Sequence, residues 1–357
     1  MQIHVDRAVF AEAIATASSF TVKESKSIPL IRIDASASEL IITATDMERV
    51  CRIAVDCQTR VVGSVMVDAS RISVAVRGAT KAALTVSLKG NRLTIEGGVS
   101  YSIPTMDIID IDMPPMPEAD AEVNGAALAR SIGATSYAIA AGDVRYGLNG
   151  AYFEQVKDEL EMTATDGHRL AHSAVTIKGR LDIDRLTLVS REACAGLARL
   201  GGMLRIAFGA GWVHARIGRD HYAWRCVVGE FPSYRDVVPG ESTSFATFRT
   251  SEILAALKRA AAVLTKAQLP TGFAFGDSEV MMSTVGESEL RESVTTELDG
   301  KPASFGARAL YVAEAVASLG NVDKVTFDFT HPKAPIRIRP SDESESFAIV
   351  MPMRIDG

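Results

Sequence analysis

Asp166, His168 and Arg169 crowd around Gly167 in the run TATDGHRLAH, and His172 follows shortly after. An acid, an imidazole and a guanidinium at such close range could make a catalytic turn, grip a phosphate, or only close a hairpin. Each chemistry needs further residues. The two histidines have HxxxH spacing, but the Glu of a zinc-binding HExxH helix is missing. No GxSxG nucleophile elbow, P-loop or strand-linked GxGxxG occurs, although a Ser-His-Asp arrangement assembled from distant segments stays open. Asp-Gly favours a tight turn with glycine at positive φ. A hairpin is therefore the simplest reading, with His168 and Arg169 displayed at the start of the returning strand. Display of that kind suits partner binding as well as catalysis.

The run must be positioned by strands, and the chain spells the relevant strand more than once. LIITATD at 40–46 aligns with LEMTATD at 160–166, a shift of 120, and a further 120 reaches the similar VMMST at 280–284. Three such units account for the chain, and each has domain size. The same order recurs in every third. An early helix comes first (DRAVFAEAIATASS, NGAALARSIGATSYAIA, TSEILAALKRAAAVL), then strands, a second helix (DASRISVAVRGA, SREACAGLARLGG, ARALYVAEAVASLG) and closing strands. In the first helix Val9, Phe10, Ala13, Ile14 and Ala17 follow a helical apolar stripe. Asp6, Asn124 and Thr250 or Ser251 are the expected N-caps. Linkers are expected in the proline- and acid-rich stretches 109–122 and 228–243.

Composition narrows the function classes. The 357 residues exceed one ordinary core, so two or three domains are expected, and 47% hydrophobic with 23% charged residues is ordinary for a globular protein. Four cysteines without CxxC spacing, no basic-apolar leader and no membrane-length apolar run suggest a reduced, cytoplasmic protein. The net charge of −6 argues against bulk adhesion to nucleic acid, which neutralises phosphates with a basic surface. Basic residues nevertheless gather on the predicted helices of all three thirds: Arg71, Arg77, Arg130, Arg191, Arg199, Lys258, Arg259 and Arg308. Singly these are solvated helix faces; shared on one face they would form a local positive surface.

LNGAYF, MTATDGHRLA, GEFPSYRDVVP, GDVRYGLNG and the terminal IVMPMRI together resemble the bacterial DNA polymerase III β subunits, the sliding clamps, over the whole chain. The resemblance implies an α+β DNA clamp fold: three similar domains (1–118, 119–241 and 242–357), each with two helices packed on antiparallel sheets, joined into a ring. It implies a non-catalytic processivity factor that encircles duplex DNA without reading sequence, needs no cofactor or metal, and tethers the replicative polymerase. Loader and repair proteins would share its peptide pocket. That pocket would be walled by Leu148, Thr165, Gly167, His168, Arg169, Leu170, Pro232, Val237, Tyr311, Ile349, Val350, Met351, Pro352, Met353 and Arg354. Lys23, Lys26 and Arg145 would join the helix residues Arg71, Arg77, Arg130, Arg191, Arg199, Lys258 and Arg259 facing DNA. Tyr101, Val263 and Leu264 would lie at the junction of a head-to-tail homodimer. This chain departs from the family at Gly147, where a bulky residue is usual, at Asp236, where a basic one is, and at Arg308, where Asn is common. These differences leave room for a secondary clamp, borne by a plasmid or phage or otherwise specialised, with altered partner preference. An enzyme built on Asp166 and His168, and a monomeric scaffold or DNA-binding regulator, are the rival readings.

Overall fold

Each third of the chain begins with a short strand that runs directly into a helix. Gln2–Asp6 enters α1 (Arg7–Ser18), which is followed by α2 (Ala69–Gly78). Asp120–Asn124 enters α3 (Gly125–Thr135), followed by α4 (Arg191–Leu197), and Ser244–Arg249 enters α5 (Thr250–Val263), followed by α6 (Ala309–Ser318). The computed structural model describes residues 1–22, 28–142, 146–264, 270–284, 289–342 and 345–355. Lys23, Lys26 and Arg145 lie outside the described residues.

Caps fix where the first two of these helices begin. Asp6 accepts from the amides of Ala8 (2.8 Å) and Val9 (3.1 Å), and Asn124 accepts from Ala127 (3.0 Å). The third helix differs from the expectation of a Thr250 or Ser251 cap. Arg249, the last residue of the strand, is its N-cap and offers no side-chain bond, because the helix begins at Thr250, one residue earlier than a Thr250 cap would allow. Val9 departs from the expected stripe: it is 49% exposed, while Phe10, Ala13, Ile14 and Ala17 are buried. A 100° step per residue puts Val9 at the edge of the buried face, next to Phe10 at its centre.

In every third the two helices pack on each other, α1 on α2, α3 on α4 and α5 on α6. Among the described residues all strand pairings with an assigned register are antiparallel. Buried and half-exposed positions alternate, as in Arg92–Glu96, whose Leu93 and Ile95 are inside. The last third packs Phe248, Phe273, Phe275, Phe305, Phe327 and Phe329 against Ile253 and Leu257 of α5 and Val312 and Val316 of α6. Each such ring contributes about 1.5–3 kcal/mol by leaving water.

Contacts divide the chain into two units, 1–120 with 204–225 and 121–203 with 226–357. In the first unit the strand Asp220–Arg225 pairs with Arg49–Val55, from His221 opposite Arg52 to Trp224 opposite Arg49. In the second, Phe347–Val350 pairs with Arg169–Gly179, from Val350 opposite Arg169 to Phe347 opposite His172. A strand near the end of one third thus completes a sheet begun by the third before it. No described helix is long and apolar enough to cross a membrane.

Candidate functional site

The repeated TATD is a repeated hairpin, hydrogen bond for hydrogen bond. Thr165 Oγ1 donates to the carbonyl of Arg169 (2.6 Å), and Asp166 Oδ1 accepts from the amides of His168 (2.9 Å) and Arg169 (3.1 Å). Thr45 Oγ1 donates likewise to Arg49 (2.8 Å), and Asp46 Oδ1 accepts from Glu48 (3.2 Å) and Arg49 (3.0 Å). Gly167 has φ +87°, and Met47 takes the same left-handed conformation at +75°, which glycine adopts without penalty and methionine does not. The arginine repeats too: Arg169 Nε lies 3.0 Å from Asp166 Oδ2, and Arg49 Nε lies 2.6 Å from Asp46 Oδ2. The Gly-His pair is confined to the middle third; the Arg is not.

What differs is the company Arg169 keeps. It also pairs with Glu314 of α6, donates to the Tyr137 carbonyl (3.2 Å), and lies over the rings of Tyr311 (4.3 Å) and Tyr137 (5.1 Å). Arg49 has one ring, Phe20, at 5.9 Å. Arg169 therefore ties the hairpin to α6 and to the turn after α3. Each of its three nitrogens has a partner before any ligand arrives.

Beside this hub lies a cavity of about 490 Å³. Its floor is a small apolar cluster of Leu170, Ile349 and Tyr234, with Tyr152, Phe231 and Phe347 packed around it. The linker after Val228 closes one wall. Phe231 stacks on Tyr152 (5.3 Å, 13° between planes), while Tyr234 and Arg235 both bond to Glu154 and Glu161 at 2.6–3.2 Å. His172 lies beneath, bonded to Thr163 (2.9 Å) and stacked against Phe347 (4.9 Å). Burial, reinforced by Arg235, lowers its pKa to about 4, so it is neutral at pH 7. Burial likewise raises the Tyr234 hydroxyl well above its ordinary value. Neither group is poised for acid–base work near neutrality.

Leu148, Thr165, Gly167, Arg169, Leu170, Pro232, Val237, Ile349 and Met351 of the expected wall line this cavity. Six others do not. Val350 points to the other side of its strand and is fully buried in the core of the last third, since neighbours on a strand face opposite ways. Pro352, Met353 and Arg354 line a separate cavity of about 550 Å³, because the Met353 amide bonds to the Gly306 carbonyl (2.7 Å) and draws the tail away. His168 is exposed on the hairpin, with Tyr311 near it (6.5 Å between rings) behind the Arg169 guanidinium.

Five lining residues were absent from the expected wall: Gly147, Glu230, Phe231, Ser233 and Tyr234. Two aromatics in a proline- and acid-rich linker were the available signal, since such rings need a surface to bury against. At Gly147 a Cβ would stand 2.0 Å from the Glu230 carbonyl oxygen, so the bulky residue usual there cannot occupy this linker geometry.

The basic positions separate into two groups. Arg71, Arg130, Arg199 and Lys258 are exposed, and among the described residues only Arg71 of these four has an ion pair, with Asp68 (3.6 Å). Arg77 donates to the Ser73 carbonyl, Arg191 to those of Ser136 and Ile139, and Arg259 pairs with Glu292 (3.0 Å). Arg199 lies beyond the end of α4, which is shorter than expected. Arg308, in the place where Asn is common, is the N-cap of α6 without a capping bond and lies over Tyr311 (4.7 Å). Tyr101 is half-buried, with its hydroxyl over Gly78 of α2; Val263 and Leu264 are half-buried at the end of α5.

Three family models, described as the N-terminal, central and C-terminal domains of the DNA polymerase III beta subunit, match residues 1–115, 122–233 and 235–354. The chain is 27% identical over 340 residues to the beta sliding clamp of Proteus mirabilis, covering 91% of each. To that of Escherichia coli (strain K12) it is 28% identical over 330 residues, covering 88% of this chain and 89% of the relative. A crystal structure of the DNA polymerase III subunit beta from Pseudomonas aeruginosa superposes with a TM-score of 0.90 at 21% identity, over 99% of this chain and 100% of that one. The beta subunit of Thermotoga maritima gives 0.88 at 21% identity, over 99% of both. With three successive domains matched in order, a three-domain clamp fold of paired helices on antiparallel sheets, and sliding clamps as its relatives, the chain belongs to the DNA polymerase III beta subunit family, the sliding clamps that serve polymerase processivity.

Proposed function

We propose that two copies of this chain close head to tail into a ring around duplex DNA, and that the cavity beside the TDGHR hairpin receives short peptides from the replicative polymerase, the loader and repair proteins. The chain has no catalytic step in this reading. Domain boundaries near 118 and 241 follow the two linkers. The observation that carries the peptide assignment is the cavity itself. It combines a buried apolar floor (Leu170, Ile349) with an exposed apolar rim (Val237, Met351), in a volume suited to a few side chains. A peptide with a Leu and a terminal Leu-Phe pair would place its apolar end on that floor. Each such side chain contributes about 1.5–3 kcal/mol before ordering costs, consistent with micromolar affinity at about −8 kcal/mol.

Arg71, Arg130, Arg199 and Lys258 are exposed cations that would touch phosphate backbone without reading bases, with Lys23, Lys26 and Arg145 as further candidates. Ring closure holds the DNA by topology, which agrees with a net charge of −6. Residues 100–104, carrying Tyr101, and Arg291–Thr295 each pair with one strand among the described residues, which leaves an open edge, and such edges pair readily. Labelled-peptide titration into the full chain and a chain ending at Val350 tests the pocket. Loss of binding in the shorter chain, with DNA retention intact, is expected; equal affinity would move the partner site elsewhere.

A further inference from the structure

The hairpin is not the only feature that the first two thirds share. At the second linker, one row of directly opposed residues runs across the sheet: Tyr152, Thr163, His172 and Phe347. The aromatic linker covers it, with Tyr234 over His172 (5.8 Å) and Phe231 over Tyr152. At the corresponding place in the first unit the row reads Arg32, Thr43, Arg52, His221, Arg216 and Arg205, each opposite the next on a neighbouring strand. The architecture is repeated and the chemistry inverted: an aromatic row under an aromatic linker, a basic row under an acidic, proline-rich one.

The first linker neutralises only the ends of its row. Asp110 pairs with Arg32 (2.7 Å) and Asp120 with Arg205 (2.8 Å). Between them Met113, Pro114, Pro115 and Met116 bring no charge, and a pocket of about 470 Å³ remains over Arg52, His221 and Arg216. Neither Arg52 nor Arg216 has an ion pair or side-chain hydrogen bond among the described residues. Arg219, also at the pocket, is held by Asp56 (2.5 Å) and Glu39 (3.6 Å), so the one lining carboxylate is already engaged. His221 is buried, and its Nε2 lies 3.1 Å from His214 Nδ1, so it stands between the two arginines as a neutral ring. Cations on adjacent strands of one face repel each other unless an anion joins them.

We propose that this pocket is a binding site for a multivalent oxyanion of the phosphate class, with Arg52 and Arg216 as its ligands. Carboxylates already neutralise the guanidiniums at the ends of the row, Asp34 and Asp110 at Arg32 and Asp120 at Arg205, and leave the middle pair to an anion that can reach both. Two guanidiniums flanking His221 are about two strand spacings apart at the backbone, roughly 10 Å. Oxygens on adjacent phosphorus centres can accept from both forks together. Ile41 and the Met113–Met116 wall give an organic body apolar surface next to the anion.

The full chain is titrated with inorganic pyrophosphate at constant ionic strength while its melting temperature is followed. A saturable rise is expected for the wild type and for Lys89→Gln, an exposed cation of the same unit that does not line the pocket, and none for Arg52→Gln/Arg216→Gln. The single variants should bind about tenfold more weakly, the effect of one charge-assisted bond. Both arginines are exposed, so the variants should fold, and an unchanged melting temperature in the absence of ligand confirms it. ADP in a parallel titration separates the sources: tighter binding than pyrophosphate supports an organic phosphate, and equal binding supports the inorganic group. No saturable rise in the wild type, an equal rise in the double variant, or an equal rise with malonate overturns the proposal.

Discussion

Arg169 and Arg49 occupy equivalent hairpins but differ in how much depends on them. Replacing Arg169 with Met strands Asp166 and Glu314 and removes two ring contacts, which should cost about 2–4 kcal/mol. Arg49→Met strands only Asp46 and should cost about 1–2 kcal/mol. Urea midpoints of the two variants test this, and equal losses would mean that Glu314 and the tyrosines add nothing. The buried histidines make a second prediction. Burial lowers His172, His214 and His221 to about 4, against about 6.5 in an unfolded chain. Between those values the unfolded chain takes up protons that the fold refuses. Stability is therefore full above about pH 6.5 and falls as pH drops toward 4, by up to about 1.4 kcal/mol per pH unit for each imidazole. Denaturation at pH 7.5 and pH 5 should differ accordingly; identical midpoints would contradict the assignment. The hairpin at Asp166-Gly167 was readable from the sequence, because the turn chemistry is local. The Glu314 partner of Arg169 was not, since nothing in either segment indicates a contact across 145 positions.

The linkers are the elements in which function and fold meet. Gly147 lets the Glu230 carbonyl approach where any side chain would collide, so the second linker and the turn at Tyr146–Leu148 form one wall. Gly147→Ala should push them apart, cost about 1–3 kcal/mol, and weaken peptide binding more than DNA retention. Calorimetric titration of the peptide into this variant checks it, and unchanged affinity would detach the linker from the pocket. Proline and acidic content marked both linkers in the sequence. Their cargo was less legible: Phe231 and Tyr234 become wall residues only because Tyr152, Glu154 and Glu161 lie below them. Strand parity was the other obstacle. Ile349 and Val350 read alike as apolar letters, and the ladder that puts Leu170 opposite Ile349 decides which one faces the cavity.

For the whole molecule, the order of elements in each third was legible because it repeats, and the pairing of strands across thirds was not. In the proposed ring, Leu264 at the end of α5 meets the partner copy. Leu264→Asp should yield monomers at micromolar concentration, lose retention on nicked circular DNA, and still bind peptide. Sedimentation beside peptide titration tests all three, and a persistent dimer would place the junction elsewhere. The pairing of Asp220–Arg225 with Arg49–Val55 also bears on how the chain is made. The first unit is completed by residues up to Arg225, about 100 beyond Asp120, and these leave the ribosome roughly 5–20 s later at about 5–20 residues per second. During that interval the Arg49–Val55 edge is unpaired and Phe20 lacks the Tyr222 and Trp224 rings that later pack on it. The nascent first third must wait, open-edged, for a strand that belongs to its successor. Slow synthesis between codons 120 and 225 is therefore where aggregation and chaperone capture of this protein should concentrate.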